Sequence, residues 1–164
     1  MILNRLFLAI LLATGAHGCR AETQNVASPS AAIAPSGLDV VTLEVRGSDS
    51  SHAFRVEIAR TPEEQEKGMM FRDSMGADDG MIFPFPSPRP ARFWMKNTMI
   101  PLDLIFIRED GTIARIAVNA EPYSLAGIES GEPVAAVLEI AGGRSVELGI
   151  VEGDRVVWPG GPVG

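Results

Sequence analysis

The sequence predicts an α+β fold, a compact, β-rich, barrel-like domain of about seven or eight short strands with one or two short helices. Two observations carry this. Apolar and polar residues alternate with period two over several short stretches, as half-buried strands require. Clusters of Gly, Asp, Ser and Pro separate those stretches at short intervals, whereas one segment carries a full helix start.

The elements follow in order. Val41, Leu43 and Val45 alternate with Thr42, Glu44 and Arg46, and after the turn-rich residues 47–51, Phe54, Val56 and Ile58 alternate with Arg55 and Glu57. Thr61-Pro62-Glu63-Glu64 combines a Thr cap, Pro at the first helical position and acids in the first turn, with Gly68 closing the helix and Met69, Met70 and Phe71 packing behind it. Asp78-Asp79-Gly80 reads as a turn before Met81-Ile82-Phe83. Pro84, Pro86, Pro88 and Pro90 then predict a stiff, extended connector that cannot enter a central strand. Residues 92–95 and 102–107 read as strands, and Arg108-Glu109-Asp110-Gly111 turns the second into a hairpin with residues 112–118. Residues 134–140 and 155–158 complete the strands, with a short helical turn over residues 144–148.

A length of 164 residues suits a single domain. Residues 1–21 read as a signal peptide: Arg5 precedes the apolar run from Leu6 to Leu12, small residues follow, and the run is too short to span a bilayer. Cys19-Arg20-Ala21 suits a general signal peptidase, while Ala16-His17-Gly18-Cys19 resembles a lipoprotein acceptor site. Cys19 is thus a candidate for lipidation and for a membrane tether, and the single cysteine forms no internal disulfide. Residues 22–38, rich in Ser, Ala and Pro, read as a disordered tether, and residues 39–160 as one globular domain. The net charge is −7, and about −9 without residues 1–21, which disfavours nucleic acid and anionic membrane surfaces as partners.

Several chemistries lack their residues. Beyond residue 21 the chain has one histidine, His52, too few for zinc spacing or a Ser-His nucleophile, and Ala141-Gly142-Gly143 lacks the spacing of a nucleotide loop. Six of the seven methionines, Met69, Met70, Met75, Met81, Met95 and Met99, fall in one stretch. Thioethers suit Cu(I), but Met also fills irregular core gaps, and four of the six lie within two residues of Phe or Trp. Core packing is the preferred reading, with no metal or cofactor expected.

The candidate site lies in residues 93–106, where Lys96, Asn97, Thr98 and Asp103 interrupt an apolar run. Buried charges need partners, so Asp103 and Lys96 are expected to share one polar network with Arg72 or Glu139. By strand alternation Leu102, Leu104 and Phe106 share one face and Asp103, Ile105 and Ile107 the other, with Glu139 similarly placed beside Ala135 and Val137. The functional reading sets Arg72, Lys96, Asn97, Asp103 and Glu139 around one pocket for an anionic or sugar-like ligand.

Through Thr61-Pro62-Glu63-Glu64-Gln65, Gly68-Met69-Met70-Phe71-Arg72, Gly80-Met81-Ile82-Phe83, Phe93-Trp94-Met95-Lys96-Asn97-Thr98, Ile100-Pro101-Leu102-Asp103, Val137-Leu138-Glu139 and Gly153-Asp154, the sequence resembles the domain of unknown function 192 family, also called uncharacterised protein family 0127, over roughly residues 40–158. The resemblance implies a compact β-rich domain in proteins that are often exported. It implies no activity, and no catalytic or binding residue is carried over.

The resulting expectation is a monomeric, exported accessory domain of the cell envelope, periplasmic or tethered outside the inner membrane. It binds a small ligand or an envelope protein around Lys96, Asn97 and Asp103. One alternative is an enzyme acting on an envelope polymer by carboxylate acid/base chemistry, for which a deep pocket holding a carboxyl of raised pKa is the mark, as a shallow groove is the mark of a binder. The other is a methionine-based copper carrier. Intact mass of protein from membrane and soluble envelope fractions should show residues 1–21 absent. A mature chain that begins at Met1 overturns export, and an unmodified start at Glu22 overturns lipidation.

Overall fold

Strand β1 (Val40–Arg46) and strand β2 (Ser51–Ile58) lead into helix α1 (Pro62–Lys67), then β3 (Asp79–Phe93), β4 (Leu102–Ile107), β5 (Ile113–Ala120), β6 (Ile128–Ala141), helix α2 (Arg144–Leu148) and β7 (Arg155–Val157). This computed structural model describes residues 36–161. The seven strands form one sheet in the order β5-β4-β6-β3-β2-β1-β7. Its two outer strands approach each other: Thr112 bridges Arg155, the Ile113 amide donates to the Asp154 carbonyl and the Val156 amide to Gly111. The sheet is therefore a partly closed barrel, the architecture that the alternating short strands predict.

Strand alternation sorts the side chains into two cores. The first takes apolar residues from all seven strands, among them Val45, Phe54, Ile82, Ile105, Ile113, Leu138 and Val156, and fills the barrel interior. The second lies on the outer face of β3, β4 and β6, where Met81, Phe83, Leu104, Phe106 and Val137 meet Met69 and Met95 from the connecting segments. The split of Leu102, Leu104 and Phe106 from Asp103, Ile105 and Ile107 holds, and all six are buried because both faces are covered. Met69, Met81 and Met95 are at most 2% exposed, so these three thioethers pack the second core as expected.

Helix α1 begins at a complete capping box. The Thr61 hydroxyl accepts from the Glu64 amide and the Glu64 carboxylate from the Thr61 amide, an arrangement that contributes about 1 kcal/mol. Gly68 ends the helix at φ 46°, ψ −130°, a conformation open to residues without a Cβ. Met69 is buried behind it, whereas Phe71, expected to pack there too, is 69% exposed. Its amide donates to the Asn97 carbonyl, and both residues hold positive φ, 64° and 54°.

Three expectations are corrected. The four prolines lie inside β3, a 15-residue strand paired with β6, rather than in a connector outside the sheet. The pairing tolerates them because β2 reaches only as far as Ile82, so beyond that residue one edge of β3 is unpaired, and the register with β6 slips twice between Pro84 and Arg92. Asp79 and Gly80 belong to this strand rather than to a turn, since they lie parallel to Arg55 and Val56 of β2. Strand β6 starts at Ile128, well before the expected residue 134, while β3 ends at Phe93, short of 95.

Asp103 departs most from the expected network. Its side chain has no exposure, and its partners come from the start of α2 and from β5: Oδ1 accepts from the Asn119 and Gly143 amides at 2.7 Å each, Oδ2 from the Ser145 amide at 2.8 Å and the Ser145 hydroxyl at 2.5 Å. Gly143, at φ 83°, aims its N–H at the carboxylate from a left-handed conformation. Lys96, Arg72 and Glu139 take no part. Asp103→Asn replaces an acceptor oxygen by a donor and should cost about 3 kcal/mol in urea melts, Lys96→Met less than about 0.5 kcal/mol, and the two should add. A coupling above about 1 kcal/mol would reinstate the shared network.

Candidate functional site

The outer face carries a row of side chains set by register. Glu57 of β2 lies beside Met81 of β3, Met81 beside Glu139 of β6, and Glu139 beside Leu104 of β4, so all four point to one face. Asp103 pairs with Ile140 and points to the other. Asp103 and Glu139, expected around one pocket, are therefore on opposite sides of the sheet and cannot act together as acid and base on one substrate.

Glu57 was legible in the sequence only as a polar position of an alternating strand. It is 1% exposed and holds Arg72 in a two-pronged ion pair, Nη1 to Oε1 at 2.7 Å and Nη2 to Oε2 at 2.8 Å. The Ser36 hydroxyl donates to the same carboxylate, and Leu38 packs on the outer core. Ser36 to Leu38 are the last residues of the expected tether, of which residues 22–35 lie outside the described residues, as do residues 1–21 with Cys19. Arg72, proposed from the sequence as a ligand group, is thus committed to Glu57.

Glu139 is two strands from Glu57, about 10 Å at the backbone. It forms the floor of a cleft of about 310 Å³ between the end of α1 and the outer part of β3, walled by Met69, Met70, Phe83, Phe85, Phe93 and Trp94. Phe83 and Phe93 meet edge to face, 5.2 Å between centroids. Glu139 is 4% exposed, and among the described residues no donor bonds its carboxyl. Burial in this apolar wall raises its pKa to about 8, against a smaller downward pull from the Arg72 guanidinium. At neutral pH it is a carboxylic acid, with a proton to donate into the cleft.

The rim is cationic. Lys67, Arg89 and Arg92 line the cleft against a single exposed acid, Glu66. The Arg89 guanidinium sits 3.9 Å from the centroid of Phe85. Thr98 also faces the cleft, its hydroxyl donating to the Lys96 carbonyl at 3.3 Å.

Lys96 and Asn97 line a neighbouring shallow depression with Glu63, Glu66, Lys67, Met70 and Phe71. Lys96 is exposed, its Nζ 5.1 Å from the Trp94 ring, and Asn97 Nδ2 donates weakly to Met70 Sδ at 3.9 Å. Glu66, Lys67 and Met70 border both hollows. The five candidates therefore separate: Glu139 in the cleft, Lys96 and Asn97 beside it, Arg72 locked to Glu57, and Asp103 across the sheet. The aromatic walls were missed as a site because the reading of residues 93–106 centred on their polar side chains; Phe83 and Phe85, either side of Pro84, were the available signal. No group of three or more His, Cys, Asp or Glu residues arranged to hold a metal ion occurs among the described residues.

Fold and cleft together define a β-rich α+β domain on one partly closed sheet, with an outer-face cleft floored by an acid. The sequence profile of the domain of unknown function 192 family, described as an uncharacterised ACR, matches residues 42–158, and the chain belongs to that family. A crystal structure of a protein of unknown function from Novosphingobium aromaticivorans shares 48% identity, covering 78% of this chain and 91% of that one, with a TM-score of 0.75. A Sinorhizobium meliloti protein, proposed to be a transcription regulator, shares 43% identity over 74% of this chain and 95% of that one, with a TM-score of 0.72. No curated protein matches the chain.

The Glu139 proton has a measurable consequence. Because its folded pKa of about 8 lies above the ordinary 4.5, the folded chain keeps a proton that the unfolded chain releases. The stability tied to that proton is complete below about pH 4.5 and is lost as the pH rises through 8. Between about pH 5 and 8.5 the wild type should lose on the order of 4 kcal/mol relative to Glu139→Gln in denaturant melts, and parallel curves for the two proteins would place the pKa near its ordinary value.

Proposed function

We propose that the protein is an exported accessory domain of the cell envelope that binds a small ligand in the cleft floored by Glu139. The observation that carries the binding reading is a buried acid with no hydrogen-bond partner among the described residues, facing a hollow walled by aromatic and thioether side chains. An unpartnered buried carboxyl costs several kcal/mol of stability, and a ligand supplying its hydrogen bond offsets that. The site moves from Asp103, whose bonding is satisfied inside the barrel, to the opposite face. Export rests on Arg5, the apolar run after it and Cys19.

The raised pKa of Glu139 also favours a second reading, a general acid acting on an envelope polymer. It is the weaker one. The other buried acid on this face, Glu57, has both oxygens engaged by Arg72, and Glu66 at the rim is exposed, which leaves no positioned base or nucleophile in the cleft. Regulation of transcription, the role proposed for the Sinorhizobium meliloti protein, is disfavoured here by the net charge of −7.

A fragment library screened by amide chemical shifts should give hits that move Met69, Met70, Phe93 and Trp94, and Met70→Trp, which fills the cleft, should weaken them at least about tenfold while the fold is retained. Hits confined to other faces, or none at all, overturn the proposal.

A further inference from the structure

We infer that the cleft selects a small organic monoanion, a carboxylate on a compact aromatic or aliphatic body, whose carboxylate shares a proton with the Glu139 carboxyl on the floor. The inference rests on the small-ligand reading and goes beyond it by naming the ligand class.

Three features of the cleft converge on this chemistry. The floor offers a hydrogen-bond donor, since an acid held neutral by burial accepts poorly and donates well. An anionic oxygen is the strongest acceptor for it, because the O–H···O⁻ bond is short and about twice as strong as a neutral one. The walls offer Met69, Phe83, Phe85 and Phe93, which suit an apolar body, and a volume of about 310 Å³ lies at the lower end for ligand sites.

The third feature is local charge. The chain as a whole is acidic, at −7, yet the charged side chains at the cleft are Lys67, Arg89 and Arg92 against Glu66 and Glu129, the latter 3.9 Å from Arg92, which still leaves a local excess of positive charge while Glu139 is neutral. That excess draws anions to this face of a protein that otherwise repels them. The Arg72 guanidinium also favours negative charge at Glu139, but its pairing with Glu57 weakens that pull and leaves it unfree to bind a ligand. An organic amine would face the opposite situation: three cations at the entrance and a floor that must first lose its proton.

The charged groups facing Glu139 are Glu57 on β2, Arg72 after α1, Glu66 and Lys67 on α1, and Arg89 and Arg92 on β3. Glu139 is the acid whose raised pKa, about 8, falls between pH 6 and 9. The pH dependence of binding in that range therefore reports the floor acid. Each proton shared with a bound carboxylate must be present in the complex, so affinity should be flat below about pH 8 and fall about tenfold per pH unit above it.

The test uses the purified chain with 3-phenylpropionate, 3-phenylpropionamide and 3-phenylpropylamine as probes, their affinities measured by calorimetry and their location by amide shifts at Met69, Met70, Phe93 and Trp94. The expected result is that 3-phenylpropionate binds at least tenfold tighter than the other two at pH 7 and weakens above pH 8. In Glu139→Gln, whose amide still donates, binding should persist while the fall above pH 8 disappears. In Glu139→Leu binding should drop at least tenfold, with unchanged amide spectra outside the cleft confirming the fold. Preference for the amine, abolished by Glu139→Gln, overturns the inference and keeps a small-ligand site. Equal binding of all three does the same, assigning the affinity to the apolar walls. If none of the three moves the cleft resonances while other fragments do, the anion class is wrong. If no fragment moves them, the small-ligand reading falls with it.

Discussion

The buried ion pair of Arg72 and Glu57 holds the outer face together. Strand β2 delivers Glu57 to that face, but nothing in β2 covers it; cover comes from the segment that leaves α1 and returns to start β3. Anchoring that segment by a two-pronged guanidinium contact places Met69 on the outer core and sets α1 beside β3, and the gap left between them is the cleft. The helix could not hold its place alone. It is six residues long and buries none of them, so its capping box defines where it starts while Arg72 and Met69 decide where it sits.

The same face carries a second buried acid that receives no such partner. Glu57 and Glu139 flank Met81 in one row, and a single guanidinium serves the first. Burial in an apolar wall, with no hydrogen-bond donor of its own among the described residues, leaves Glu139 to take up a proton rather than stay ionised, against a smaller pull from Arg72. The barrel interior solves the equivalent problem differently. Asp103 is as deeply buried, but backbone amides at the start of α2 and from β5, with the Ser145 hydroxyl, surround its carboxylate. Asp103 is therefore structural, tying α2 to the sheet, and Glu139 is the acid left for chemistry or recognition.

Much of the fold was legible in the residues. Alternation located β1, β2, β4 and β5, and the Thr-Pro-Glu-Glu signature located α1 with its cap, since both are local effects of backbone geometry. The proline-rich stretch misled because the rule against prolines in central strands concerns the unpaired N–H, and a strand that outruns its neighbour has an edge where no N–H is missed. The start of β6 was missed because Ser130, Gly131 and Pro133 interrupt the alternation, and they fall where the β3–β6 register shifts.

The sequence by itself determined where β1, β2, β4, β5 and α1 lie, that Asp103 and Glu139 would be acids in apolar strands, and that Leu104 and Asp103 must point oppositely, because a period of two is a property of the chain alone. Only the tertiary structure decided which partner each charge receives. The parallel placement of β2 beside β3 puts Glu57 in the row of Met81 and Glu139, and the register of β4 on β6 sends Asp103 to the other side of the sheet. Those pairings join residues far apart along the chain, and the energy that selects them is the burial of two whole core surfaces rather than any preference written into a local run of residues.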